Sequence, residues 1–99
     1  MKKITLICGL GMSTSMLLAK MEKAAKDEEI EVEIRAISEA KFGEYEKDTD
    51  ILLLGPQVGY LEEKFKVKYG KTEIKIAVID SVDYGMMNGK KVLEFALNM

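Results

Sequence analysis

The chain contains no histidine, and among its 99 residues there is one cysteine, Cys8. Without histidine there is no Cys–His dyad and no imidazole relay, and too few soft ligands remain for an ordinary zinc site. A lone cysteine excludes an intrachain disulfide and the dithiol chemistry of a CxxC oxidoreductase, and it suits a reducing cytosol. Charge of one sign is missing too: 15 Lys and Arg face 17 Asp and Glu, a net charge of −2. That balance gives no general basic footprint, so nucleic acid is not an expected partner. Long apolar runs are also absent. Met1-Lys2-Lys3 begins as a signal peptide does, but the apolar run ends at Cys8 and glycines follow, so no secretory h-region forms and no later segment approaches a membrane span. Whatever activates Cys8 must be backbone, a helix field or another protein.

What is present alternates. Ile4–Ile7 is a nearly continuous apolar run, as in a strand buried on both faces of a parallel sheet. Met16, Leu17, Met21, Ala24 and Ala25 then recur at helical spacing, predicting a helix to about Glu28. Ile30, Val32 and Ile34 alternate with charged residues, which predicts a second strand with one wet face, at a sheet edge. Ser38–Lys47 predicts a short helix weakened by Gly43. Asp50–Leu54 predicts a buried strand stopped by Gly55-Pro56, followed by a helical stripe of Val58, Leu61 and Phe65 that ends at Gly70. Thr72–Ile79 predicts a fourth strand, Asp80-Ser81 a turn, and the stretch after Asn88-Gly89 a last helix burying Val92, Leu93, Ala96 and Leu97. The length suits one domain over residues 1–99, with no repeat or linker. The expected class is α/β: a parallel open sheet with helices on both faces and right-handed crossovers. Ligands bind such sheets beyond the carboxyl ends of the strands, here Cys8, Gly55-Pro56-Gln57 and Asp80-Ser81. If the first strand is central, the Cys8 and Gly55 loops border one crevice.

Cys8 ends the first strand and opens Gly9-Leu10-Gly11-Met12-Ser13-Thr14-Ser15, which runs into the first helix. Small residues allow successive backbone N–H groups to turn inward as an anion nest, and the helix dipole reinforces it. The same field lowers a thiol's pKa from about 8.5 into the range ~3.5–7.5. A phosphate-binding stretch over Gly9, Leu10, Gly11, Met12, Ser13, Thr14 and Ser15 beneath a nucleophilic Cys8 is therefore expected. The ordinary alternative is a packed core cysteine before a common strand-to-helix turn. A Walker loop does not fit, because Met12 follows Gly11, and the dinucleotide fingerprint lacks its third glycine. A phosphatase-like phosphate loop after the first strand is closer. There an arginine follows the cysteine at a fixed interval and forks around the phosphoryl oxygens, but here that position holds Thr14. This favours a carrier of phosphate over a hydrolase. Asp80 and Asp83 are candidate acids by position alone. Leu10, Met12 and Met16 would surround the thiol with adaptable apolar surface for partners, with core packing the alternative for Met16. Gln57 either caps the next helix or touches the loop, and Tyr84 is either a partner contact or a packing ring with a surface hydroxyl.

Three motifs together resemble the IIB proteins of the lactose/cellobiose (and chitobiose) branch of the bacterial sugar phosphotransferase system. They are the strand-end cysteine with Gly11-Met12-Ser13-Thr14-Ser15, Leu54-Gly55-Pro56-Gln57 with Tyr60, and Ile79-Asp80-Ser81 with Tyr84-Gly85. The resemblance implies a four-stranded parallel sheet in the order 2-1-3-4. It implies that Cys8 accepts phosphate from a phosphohistidine on a IIA protein and passes it to a β-linked disaccharide held by a IIC membrane permease. The protein would be a cytoplasmic phosphotransferase that meets the membrane only through IIC and has no cofactor. Cys8-Gly9-Leu10-Gly11 departs from the cysteine-serine-alanine-glycine common in the family, which removes one hydroxyl donor from the loop. A low-molecular-weight cysteine phosphatase and a non-catalytic phosphate-binding adaptor are the competing expectations.

Overall fold

The computed structural model describes residues 1–7 and 11–99, with the side chains of 11–14 outside that description. The chain folds as β1 (Lys2–Ile7), α1 (Gly11–Asp27), β2 (Val32–Ile37), β3 (Ile51–Leu54), α2 (Glu62–Tyr69), β4 (Lys75–Val78), α3 (Ser81–Gly85) and α4 (Gly89–Leu97). Three 3-10 turns lie between them, at Glu39–Glu44, Glu46–Asp48 and Pro56–Leu61. All strand pairs are parallel, in the order β2-β1-β3-β4, so β1 is internal and β2 lies at an edge, as expected.

Strand alternation sends successive side chains of β1 and β3 to opposite faces, and both faces are covered. Ile4, Leu6, Ile51 and Leu53 pack with Leu17 and Met21 of α1 and with Val92, Leu93 and Ala96 of α4. Ile7, Leu52 and Leu54 pack on the other side with Phe42, Val58, Leu61, Phe65 and Tyr69. Gly89 lets α4 seat closely on α1, since a Cβ there would lie 2.5 Å from the Lys20 carbonyl carbon. On the second face Phe42, 1% exposed, meets the rings of Phe65 and Tyr69 edge-on at 5.7 and 5.4 Å.

The amino edge of the sheet is tied by charge. Asp48 bonds Lys3 through one oxygen and Arg35 through the other, the latter at 2.7 Å. The bonds from Lys3 and Arg35 hold the Asp48 carboxyl below the usual carboxylate range. Thr5, buried within β1, meets the Thr49 hydroxyl at 2.8 Å, and Thr49 donates onward to the Tyr45 carbonyl.

Several expected elements differ. Ser38–Lys47 is not one short α-helix but two 3-10 turns separated by Tyr45 (φ −119°, ψ 0°), because Phe42 is its one buried anchor. Val58 does not lie on a helix with Leu61 and Phe65. Its backbone (φ −117°, ψ 23°) breaks the 3-10 turn, and α2 begins only at Glu62. A β-branched residue next to Gly59 favours that break, yet all three side chains still reach the core. The fourth strand is shorter than Thr72–Ile79, matching the four residues that β3 offers it. The turn expected at Asp80-Ser81 is helix α3, whose first amides at Val82 and Asp83 donate to Asp80 Oδ2 at 3.0 and 3.1 Å.

Truncating Phe42→Ala removes the centre of the aromatic cluster and should cost about 3–5 kcal/mol. A urea titration would show this as a lower midpoint at unchanged slope, and a loss under about 1 kcal/mol would contradict the packing. Because folding depresses the Asp48 pKa, its ion pairs stabilise the fold above the ordinary carboxylate range, and that stability is lost as pH falls through the depressed value. Asp48→Asn should therefore lower Tm at neutral pH, with the gap to the parent chain closing as pH drops below about 4.

Candidate functional site

The strand ladder continues past the strand ends. Gly55 N–H donates to the Ile7 carbonyl at 2.8 Å, and Ile79 N–H donates to the Leu54 carbonyl at 2.8 Å. The chain thus leaves β1, β3 and β4 at three neighbouring points of the carboxyl edge, and the segments after β3 and β4 begin there with Gly55-Pro56 and Asp80-Ser81. The first helix opens at Gly11, four positions after the last residue of β1, and runs 17 residues with no acidic residue in its first turn. The amino end of a helix is the positive end of its dipole, and no carboxylate in that first turn opposes an anion there.

The expected nucleophile Cys8, with Gly9 and Leu10, lies outside the described residues. Gly11, Met12, Ser13 and Thr14 form the first turn of α1, and their side chains lie outside the description as well. Ser15 is exposed. Met16 turns outward, 56% exposed, while its neighbour Leu17 is buried, so of its two expected roles core packing is excluded. Gln57 is exposed on the Pro56–Leu61 turn, and among the described residues its side chain caps no helix. Tyr60 is exposed beside it.

Tyr84 corrects an expectation. It offers no surface to a partner, because α3 directs its ring into the core shared by α1, α4, β1 and β3, leaving it 6% exposed. The hydroxyl is buried as well and finds no hydrogen-bond partner among the described residues. Asp80 also has a structural role: its Oδ2 accepts the first amides of α3 and so caps that helix. Sequence reasoning missed α3 itself and the apolar side chains it exposes, Val82 and the 73% exposed Met86. The available signal was an aspartate followed three residues later by a second one, a helix-start pattern.

No arginine stands near this edge. The chain's single arginine is Arg35, and its guanidinium is held by Asp48 at the opposite end of the sheet. No described helix is long and apolar enough to cross a membrane.

An open parallel sheet of order β2-β1-β3-β4, with a helix that starts at its carboxyl edge without an acidic residue in its first turn, defines an α/β protein. Comparison with known proteins narrows the class. The sequence pattern described as "PTS system, Lactose/Cellobiose specific IIB subunit" matches residues 3–95. The chain is 40% identical over 99 residues to the PTS system oligo-beta-mannoside-specific EIIB component of Bacillus subtilis (strain 168), covering 100% of this chain and 96% of that one. It is 43% identical over 103 residues to the cellobiose-specific EIIB component of Lactococcus lactis subsp. lactis (strain IL1403), covering 99% and 95%. Among solved structures, the cellobiose-specific phosphotransferase IIB component protein from Borrelia burgdorferi superposes with a TM-score of 0.81 at 41% identity, over 98% of this chain and 89% of that one. The chain belongs to the lactose/cellobiose-specific IIB family of the phosphotransferase system.

Proposed function

We propose that this chain is a cytoplasmic phosphocarrier in which Cys8 accepts a phosphoryl group from a phosphohistidine of a IIA protein and delivers it to a sugar bound by a IIC permease. The sugar class is a β-linked disaccharide of the cellobiose, chitobiose or lactose kind, supported by the lactose/cellobiose family pattern and by a cellobiose-specific relative, while other relatives are named for an oligo-beta-mannoside and for galactose. The observation that carries the reading is the helix start facing the carboxyl edge next to β1, free of carboxylates. Such a terminus favours both a thiolate and the phosphoryl oxygens that replace its charge.

The chemistry is two in-line displacements. In the first, the Cys8 thiolate attacks phosphorus, an S–P bond forms and the N–P bond of the donor breaks. The departing imidazole keeps the electron pair and takes a proton from solvent. In the second, a sugar hydroxyl oxygen attacks phosphorus, the S–P bond breaks and the thiolate is restored, while the hydroxyl proton passes to a base outside this chain. Positioning and electrostatics supply most of what a protein can contribute to such transfers. With Arg35 held by Asp48, no guanidinium of this chain clamps the adduct, which favours an intermediate that waits for its acceptor over one that water rapidly clears. Met16 and Gln57, exposed on elements that start at this edge, together with Leu10 and Met12, would provide contact surface for the two partners in turn.

Incubation with phosphorylated IIA protein should add one phosphoryl group to the intact mass, and Cys8→Ser should abolish it. A chain left unmodified where a known IIB protein is labelled would overturn the proposal. Steady turnover of an aryl phosphate by the wild-type chain would point instead to a phosphatase.

A further inference from the structure

Strand β4 ends the sheet on one side, since it pairs only with β3. Where it meets α3 and α4 lies a groove of about 210 Å³ lined by Val78, Ile79, Asp80, Asp83, Val92 and Phe95. That is smaller than the roughly 300–1,000 Å³ of a small-molecule pocket, so it suits one long side chain of a partner better than a free ligand. Val78, Val92 and the half-exposed Phe95 supply apolar walls, and the adjoining α3 exposes Val82 and Met86. Asp80 and Asp83 supply charge of one sign, and among the described residues no Lys or Arg lines the groove. Asp80 caps α3 through Oδ2, while its Oδ1 and the Asp83 carboxylate form no hydrogen bond or ion pair among the described residues. Apolar walls with two carboxylates complement a lysine or arginine: the aliphatic stem covers hydrocarbon, the head pairs with carboxylate, and an aromatic face attracts the charge.

The groove reaches the carboxyl edge, because Asp80 directly follows Ile79, whose N–H is bonded to the last carbonyl of β3. Of the two partners that the carrier reading brings to the chain, one is a membrane protein, and the cytoplasmic loops of membrane proteins carry an excess of Lys and Arg. Anionic headgroups around such a permease are repelled by the same carboxylates, so the complement is a protein loop and not the lipid. We infer that the groove between β4, α3 and α4 docks a basic cytoplasmic segment of the IIC permease, holding one of its lysine or arginine stems against Val78, Val92 and Phe95 with the charged head at Asp80 and Asp83. This rests on the carrier reading above and names the surface that separates its two partners. IIA protein docks without the groove, so the two half-reactions depend on different parts of the chain.

The test is sugar phosphorylation by a IIC permease to which the wild-type chain transfers phosphate, held in vesicles of zwitterionic lipid, with the phosphorylated full chain as the varied substrate. Phe95→Ser and Asp83→Asn should each raise KM for the phosphorylated chain about tenfold, the effect of losing one central interface side chain. The change should fall in KM and not in kcat, the split that marks docking rather than proton transfer. Phe95→Ser should still accept phosphate from IIA protein at the wild-type rate. Asp83→Asn keeps the shape of its side chain, so its KM decides even where Phe95→Ser loses stability. Added salt should raise the wild-type KM and raise that of Asp83→Asn less. An unchanged KM in Asp83→Asn overturns the inference, as does an equal loss in both half-reactions of Phe95→Ser. Equal binding of the chain to vesicles without permease would assign the surface to lipid and overturn it as well. Intact mass, read first, separates the two proposals: a wild-type chain that takes no phosphoryl group from IIA protein defeats the carrier reading itself, whereas a labelled chain whose transfer to sugar ignores both substitutions defeats only the docking groove.

Discussion

Everything at the carboxyl edge depends on β1 being an internal parallel strand. Paired on one side with β2 and on the other with β3, it cannot shift by one residue without turning Ile4 and Leu6 away from α1 and α4 and driving Thr5 out of its bond to Thr49. Register therefore fixes where the strand stops. Because every strand runs the same way, the stopping points of β1, β3 and β4 fall together, and the loops that follow them share one edge.

Charge is divided between the two ends of the sheet. The amino edge holds the Lys3–Asp48–Arg35 cluster, which binds β1, β2 and the segment before β3 to one another. The carboxyl edge has a helix start without acidic residues in its first turn and an Asp80 that caps α3 through one oxygen. This division has a chemical consequence. The single guanidinium of the chain is kept away from the carboxyl edge, where the positive end of the α1 dipole favours an anion.

The strands were legible because they rest on strong local signals, unbroken apolar runs for the internal strands and strict alternation for the edge strand β2, whereas their order 2-1-3-4 came only from the family resemblance. Helix α4 was legible from Asn88-Gly89 and the spacing of Val92, Leu93 and Ala96, and Asn88 does cap it, accepting from Lys91 N–H at 3.2 Å. The segments that failed are short ones governed by tertiary anchoring. Ser38–Lys47 is shaped by one buried ring, Phe42, and Val58 reaches the core from a backbone that is not helical. Helix α3 has only five residues, too few to show a period, and was visible only through its cap. The direction of Tyr84 was hidden for the same reason: periodicity could not say which face of α3 is covered, and only the packing of α3 onto the α1 and α4 layer decides it. Of the site, the motif order along the chain was legible, while the choice between outward and inward for Met16 and Tyr84 was not.

The central claim is that this edge holds an ionised thiol. Titration of Cys8, followed by the ultraviolet absorbance of its thiolate or by the pH dependence of alkylation, tests it most directly. The account predicts a pKa well below the ordinary ~8.5, so that the thiolate dominates at neutral pH. A value at or above the ordinary one would contradict it.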